Sequence, residues 1–304
     1  MATANKSRSA VGKTVASKRA PMAGKTSAAA KKASAAATKA IAAKKTNAAR
    51  TAAASRRSSG RVHLGVDIGG SGIKAAPVDV TTGALLQERV RLETPAGAKP
   101  DDVDGVIEKV VNAFSTHGPV GMTFPGVVIR GTLHTAANVD KGWIGVDLSE
   151  RYGKLLGRPV VAMNDADAAG VAEMRFGAGR GRRGVVMMIT LGTGIGCAVF
   201  NDGVLMPNTE LGHLEIGGND AEDHAAARVR DDENLSWEDY AKRVQRYLRQ
   251  LDALLWPDVV IIGGGISKKA DKFLPLIKTR CELVPAKLLN DAGIVGAAVL
   301  AAGR

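Results

Sequence analysis

One aspartate at the start of a helix and three glycine turns at the ends of strands are the parts of this chain equipped for chemistry. Asn164-Asp165 sits between an apolar run and a helical stretch. A carboxylate there can take the proton from a hydroxyl as that hydroxyl attacks a phosphoryl group. A plain helix N-cap is the other reading of the same position, and Asp167 would point elsewhere on the first turn. The turns are Asp67-Ile-Gly-Gly-Ser-Gly72, Leu191-Gly-Thr-Gly-Ile-Gly196 and Gly263-Gly-Gly-Ile-Ser267. Glycine lets the backbone approach a phosphate closely, with its N–H groups turned toward the anion. A single turn of this kind has a steric explanation. Three in this order, two of them between paired strands, point to a phosphoryl donor. None matches the lysine-containing phosphate loop or the dinucleotide fingerprint. Glu210-Leu-Gly-His-Leu-Glu215 gathers polar groups in a short loop and suits the vicinal hydroxyls of a sugar. As a zinc set, three scattered N/O ligands without cysteine are poor, and a simple surface loop is the remaining reading.

These residues need a scaffold of strands and helices in alternation. Val62–Ile68 and the run from Ile73 read as strand, tight turn, strand, and residues 84–93 as a third strand. A helix is expected over 102–115, with Val103, Val106, Ile107, Val110 and Val111 on one side. Val120–Phe124, Pro159–Met163, Val185–Leu191, Cys197–Phe200 and Val259–Ile262 read as strands. Residues 166–176 and 236–255 read as helices. The fold class is therefore α/β with mixed sheets. The strand, glycine turn, strand opening occurs at 62–80 and again at 185–204, which implies two related lobes and a cleft. The expected division is a tail over 1–60, a first lobe over 61–163 and a second over 164–304. The C-terminal helix is expected to pack back on the first lobe.

The formal charge of +12 is unevenly distributed. Residues 1–60 hold 14 Lys/Arg and no acid, leaving 28 basic and 30 acidic side chains in the body. A nucleic-acid reading of the folded part therefore has no support from the net charge. The Ala/Lys-rich tail lacks an apolar stripe and reads as disordered. It could be an arm for a polyanion, a solvated extension or an organelle transit peptide, but not a helix-turn-helix, which needs packed apolar faces. Two distant cysteines, Cys197 and Cys281, give neither a disulfide framework nor metal-ligand spacing. No run approaches the roughly 20 apolar residues that span a bilayer, and a cytoplasmic protein is expected.

The sequence resembles the ROK sugar-kinase family, and within it the bacterial polyphosphate/ATP glucokinases, from about Val62 to Gly303. The segments that carry the resemblance are Asp67-Ile-Gly-Gly-Ser-Gly-Ile-Lys74, Thr123-Phe-Pro-Gly-Val127, Ala137-Asn-Val-Asp-Lys-Gly-Trp143, Asn164-Asp-Ala-Asp-Ala-Ala-Gly170, Leu191–Gly196 and Glu210–Glu215. It implies a two-lobed actin-like ATPase (ribonuclease H-like) fold, often dimeric, that closes around glucose. Asp165 would be the general base on the sugar 6-hydroxyl, and Asn164, Glu210, His213 and Glu215 would hold the other hydroxyls. Gly69, Gly70, Ser71, Gly72, Lys74, Gly192, Thr193 and Gly194 would cradle the donor, with Mg²⁺ near Asp67. Gly263, Gly264 and Gly265 would lie against the nucleoside of ATP. Many ROK kinases carry three zinc-binding cysteines after the histidine equivalent to His213. Here Gly217–Asn234 has none, so no zinc is expected and other contacts must hold the sugar loop. A polyphosphate donor calls for a cationic groove, for which Arg175, Arg180, Arg182 and Arg183 are the candidates, with Lys74 and Lys141 as further ones. The rivals are a kinase for another hexose or an amino sugar, and a sugar-responsive regulator. A regulator of this family would add a DNA-binding module.

Overall fold

A computed structural model of the chain describes residues 61–136 and 139–303. The expectations for the tail over 1–60, and for Ala137 and Asn138, lie outside the described residues. The chain opens with the antiparallel hairpin β1 (Val62–Ile68) and β2 (Ile73–Asp79). The single strand expected over 84–93 is instead two pieces, β3 (Ala84–Leu85) and β4 (Val90–Leu92), both paired with β2. The cause is Pro77 in β2. It has no N–H to give, although its carbonyl still accepts from Leu86 N on that edge at 2.9 Å. The ladder slips there, and residues 86–89 bulge out.

Helix α1 (Pro100–Asn112) begins two residues before the expected start, because proline fits the first helical position. Then follow β5 (Val120–Phe124), the small hairpin β6 (Val128–Ile129) and β7 (Thr132–Leu133), α2 (Leu148–Leu156), β8 (Val160–Asn164) and α3 (Asp165–Phe176). β9 (Val185–Leu191), β10 (Ile195–Asn201) and β11 (Val204–Met206) lead to α4 (Trp237–Leu255), β12 (Val259–Gly263), β13 (Glu282–Pro285) and α5 (Ala292–Ala302). The first sheet has the order β3-β2-β1-β5-β8 and the second β11-β10-β9-β12-β13. Each opens with an antiparallel hairpin and adds two parallel strands on the far side of its first strand. The second sheet thus repeats the topology of the first, as the repeated turn pattern implied.

Three apolar clusters hold the layers. α1 and α2 cover the outer face of the first sheet, through Val103, Ile107, Leu148 and Tyr152. α4 covers the outer face of the second, through Tyr240, Val244 and Leu251. Between the sheets lie α3 and α5, packed through Ala169, Ala172, Ile294 and Ala298. α5 sits directly on the backbone of β1 and β5, where Gly65 and Gly121 are partners in register. A Cβ on either glycine would collide with an α5 carbonyl, that of Ile294 or Ala297. No helix among the described residues is long and apolar enough to cross a membrane.

Candidate active site

Strand polarity places the chemistry. The turn after β1, the Asn164-Asp165 step after β8, the turn after β9 and the glycines after β12 all lie at carboxyl ends of strands. Ligands of open α/β sheets bind at those ends. Residues two apart share a face, so Asp67 and Thr123 follow the Gly65–Gly121 pair on the face that α5 covers. There Thr123 Oγ1 donates to Asp67 Oδ1 at 2.8 Å and Lys74 Nζ to Oδ2 at 3.0 Å. A Cβ on Gly293, in the first turn of α5, would lie 2.8 Å from the Asp67 carboxyl carbon.

Asn164, not Asp165, caps α3. Its Oδ1 accepts from Asp167 N at 3.0 Å and its Nδ2 donates to Gly126 O at 3.1 Å. Asn164, expected to hold a sugar hydroxyl, is buried, with one internal hydrogen bond at each end of its amide. The cap leaves Asp165 as the first helical residue, half-buried, with Oδ1 accepting from Ala166 N at 2.8 Å. Burial first, and the neighbouring Asp67 carboxylate second, raise the Asp165 carboxyl to about 7, against the pull of the Ala166 N–H. Glu210 adds to the rise. Three carboxylates from three separate segments therefore share one electrostatic environment. Asp167 lies beneath them, 1% exposed. Its Oδ2 accepts from Asn208 N at 2.8 Å, and burial pushes it up to about 6.

The first two glycine turns meet this group from both sides. Gly69 N donates to Gly72 O at 3.1 Å and closes the first turn, leaving Gly70 and Ser71 exposed. Gly192 N donates to Gly194 O at 3.0 Å in the second. A Cβ on Gly196 would come within 2.8 Å of the Ala166 Cβ, so the hairpin carrying the second turn abuts the start of α3. Gly264, at φ +78°, is pressed against the backbone of Leu191, which joins the third turn to the second. The variant Gly264→Ala sets a Cβ at a left-handed φ against that backbone, a clash no side chain can relieve. Its cost therefore belongs at or beyond the ~1–3 kcal/mol of ordinary overpacking, and Tm should fall by several degrees in a thermal melt.

The Glu210–Glu215 loop is closed by a residue the sequence did not single out. His213 Nδ1 lies 2.8 Å from Asp220 Oδ2, and its Nε2 is 3.9 Å from Glu210 Oε2. Asp220 raises the His213 pKa, chiefly through that hydrogen bond. Burial raises the Glu210 carboxyl while His213 opposes the rise. Glu215 is exposed and bridges to Asp220 through the backbone. Glu222 accepts from Ile195 N at 3.0 Å, and Arg228 Nε donates to Thr193 O at 2.6 Å. Hydrogen bonds from residues 217–234 thus tie the Glu210–Glu215 loop to the second turn. Among the described residues no three His, Cys, Asp or Glu side chains cluster as a metal set. Asn208 was also missed; it clamps Val128 N and O, at 2.9 and 3.1 Å, to the loop before Glu210. Arg91, a third omission, donates to Ser71 O at 3.0 Å over the first turn. Spacing gave no signal for Arg228 or Arg91, since each acts on a turn 20 or more residues away. Asp220 reaches His213 only because the chain folds back over the seven positions that separate them.

The arginine run is not brought to this group. Arg175 is ten residues along α3 from Asp165, about 15 Å at the helical rise. Arg182 is held in a two-bond pair with Glu282, at 2.5 and 2.7 Å. Glu282 opens β13 beside Val259, at the amino ends of the parallel strands and away from the turns. Lys74 is likewise committed to Asp67, and Lys141 is exposed beside the buried Trp143.

The ROK family model matches residues 63–227. The polyphosphate glucokinase of Mycobacterium tuberculosis is 51% identical over 237 residues, covering 78% of this chain and 89% of that protein. The chain belongs to the ROK family. Among solved structures, the inorganic polyphosphate/ATP-glucomannokinase of Arthrobacter sp. strain KM matches this ROK protein with a TM-score of 0.77 and 50% identity. The match covers 79% of this chain and 98% of that one. A ROK glucokinase from Streptomyces griseus, solved with glucose and AMPPNP, matches at 0.70 and 26% identity, covering 80% and 100%. The architecture of this ROK protein is accordingly the two-sheet actin-like ATPase fold that the sequence implied.

Proposed function

We propose that the protein is a glucokinase that transfers the terminal phosphoryl group of polyphosphate or ATP to the 6-hydroxyl of glucose. The observation that carries this reading is the Asp165 carboxyl. It is tuned to about 7 by burial and Asp67, and it lies at a helix start that meets the hairpin of the second phosphate turn. A general base works best with a pKa near the operating pH. Relatives at about half identity bear the names polyphosphate glucokinase and polyphosphate/ATP-glucomannokinase.

In the reaction Asp165, as carboxylate, accepts the proton of the sugar hydroxyl. The hydroxyl oxygen forms its bond to the terminal phosphorus, and the bridging P–O bond breaks toward the shortened polyphosphate or ADP. Glu210, Glu215 and His213 would hold the remaining sugar hydroxyls, with His213 oriented by Asp220. Backbone N–H groups of the first two turns would receive the donor oxygens. The donor set also fits a hard divalent cation. Mg²⁺ is commonly bound through one or two carboxylates plus substrate phosphates, and Asp67 is a carboxylate with one hydrogen bond on each oxygen. Asp67 would hold the ion, and the ion when bound neutralises charge on the phosphates. Magnesium as that ion, a homodimer and a cytoplasmic location are parts of the same proposal. The free, buried thiols of Cys197 and Cys281 support a reducing compartment.

The test is glucose 6-phosphate formation with polyphosphate and with ATP, each as sole donor, followed by mannose and N-acetylmannosamine as acceptors. Turnover of glucose with both donors is expected. Turnover with neither would overturn the proposal.

A further inference from the structure

A cavity of about 410 Å³ opens beside the third turn, between that turn, the β3–β4 bulge and the start of α5. Its charged lining is Arg89, Lys268, Lys287 and Asp291. Asp291 is already ion-paired with Arg89. Lys268 and Lys287 have neither an ion pair nor a side-chain hydrogen bond among the described residues, and both are exposed. Two ammonium groups thus share one cavity whose charged lining holds a single carboxylate, already paired with Arg89, and the net positive potential attracts anions. Asp291, occupied by Arg89, makes no side-chain cap on α5. The start of that eleven-residue helix therefore keeps its partial positive charge without a side-chain cap.

Two walls of the cavity lead to the phosphate turns, and the third, Gly83 and Leu85, lies at the amino end of the first sheet beside Phe176 at the end of α3. Lys268 is three residues beyond Gly265, in the one-turn segment Gly265–Lys269 that follows β12. Residues 287–291 run directly into α5, whose Gly293 lies against Asp67. An anion in the cavity is thus flanked by segments that also touch the first and second turns.

We propose that this cavity binds internal units of the polyphosphate chain behind its reacting terminal phosphate, with Lys268 and Lys287 as the chain-binding residues. The inference rests on polyphosphate being a donor. ATP carries no charge beyond its three phosphates, so it has little to gain from two further lysines. Long polyphosphate, with roughly one charge per unit and condensed counterions, gains from each by counterion release.

The test uses the full chain and the double variant Lys268→Gln/Lys287→Gln, which keeps the aliphatic stems at exposed positions. Wild-type protein is assayed first with long-chain polyphosphate, tripolyphosphate and ATP. For the variant, the KM for long-chain polyphosphate should rise about tenfold. The slope of log(kcat/KM) against log[salt] for that donor should fall by about one to two. Values of kcat/KM for ATP and tripolyphosphate should stay within twofold, which also reports an intact fold. An equal rise in KM for ATP would assign the cavity to the nucleoside and overturn the proposal. Unchanged polyphosphate kinetics would make it a solvated surface and overturn it as well. A wild-type protein active with ATP but not with polyphosphate would defeat the donor reading itself, and this inference with it.

Discussion

Asp165→Asn should lower kcat by about 10²–10⁴-fold, the usual contribution of a positioned general base, while glucose binding by calorimetry remains measurable. The same variant should melt at a higher temperature than wild type at pH 7.5. The sign follows from the direction of the shift. The folded protein holds the Asp165 proton up to about 7, whereas the ordinary value is 3.8. Between roughly pH 4 and 7 the unfolded chain loses this proton and the folded one keeps it, so wild-type stability falls as pH rises through that window. Asparagine carries no such cost, and the two melting curves should converge below pH 4. For the wild-type enzyme, kcat/KM should rise with pH with a midpoint near 7, because only the carboxylate can act as base. Near-normal turnover in a folded Asp165→Asn protein would remove Asp165 from the mechanism, and an unchanged Tm difference across pH would contradict its raised pKa.

The largest structural effect is expected at Gly121. In β5 this residue faces α5 with no room for a side chain, since a Cβ there would fall on the Ala297 carbonyl. Neither partner can yield cheaply, because both are backbone. Overpacking costs of ~1–3 kcal/mol are set by side chains that can shift, so Gly121→Ala belongs at or beyond the upper end. At ~2–4 °C per kcal/mol for a domain of this size, Tm should fall by roughly 6–12 °C. Activity should fall too, because α5 also carries Gly293 against Asp67. Gly105→Ala is the control. Gly105 is exposed in α1 with nothing near a new Cβ, and the change should raise stability by up to about 1 kcal/mol. Equal melting temperatures for the two variants would mean that α5 does not rest on the Gly65–Gly121 pair as described.

The elements recovered from the sequence are those whose signals are local. The hairpins of β1–β2 and β9–β10, the buried strands β5 and β12, and α3 and α4 each announce themselves by apolar period and a bounding glycine or cap residue. β13 was missed because its four residues, Glu282–Pro285, are too few for a period to emerge. The split into β3 and β4 was missed because it depends on Pro77 in the strand alongside.

The site divides in the same way. Its residue types and order along the chain marked out Asp165, Asp67, Glu210, His213 and the three turns, because phosphate approach and proton transfer each demand particular side chains at strand ends. Which groups remain available was decided by tertiary structure alone. Folding engages Asn164 as a cap, Lys74 with Asp67 and Arg182 with Glu282, and it recruits Asp220, Glu222 and Arg228 to brace the loops. Sequence distance misleads most at the arginine run. It follows α3 closely in the chain, yet a straight helix rising about 1.5 Å per residue carries it to the opposite end of the sheet from Asp165. Lys268 and Lys287, nineteen residues apart, reach one cavity because two loops leaving adjacent parallel strands turn toward the same helix start.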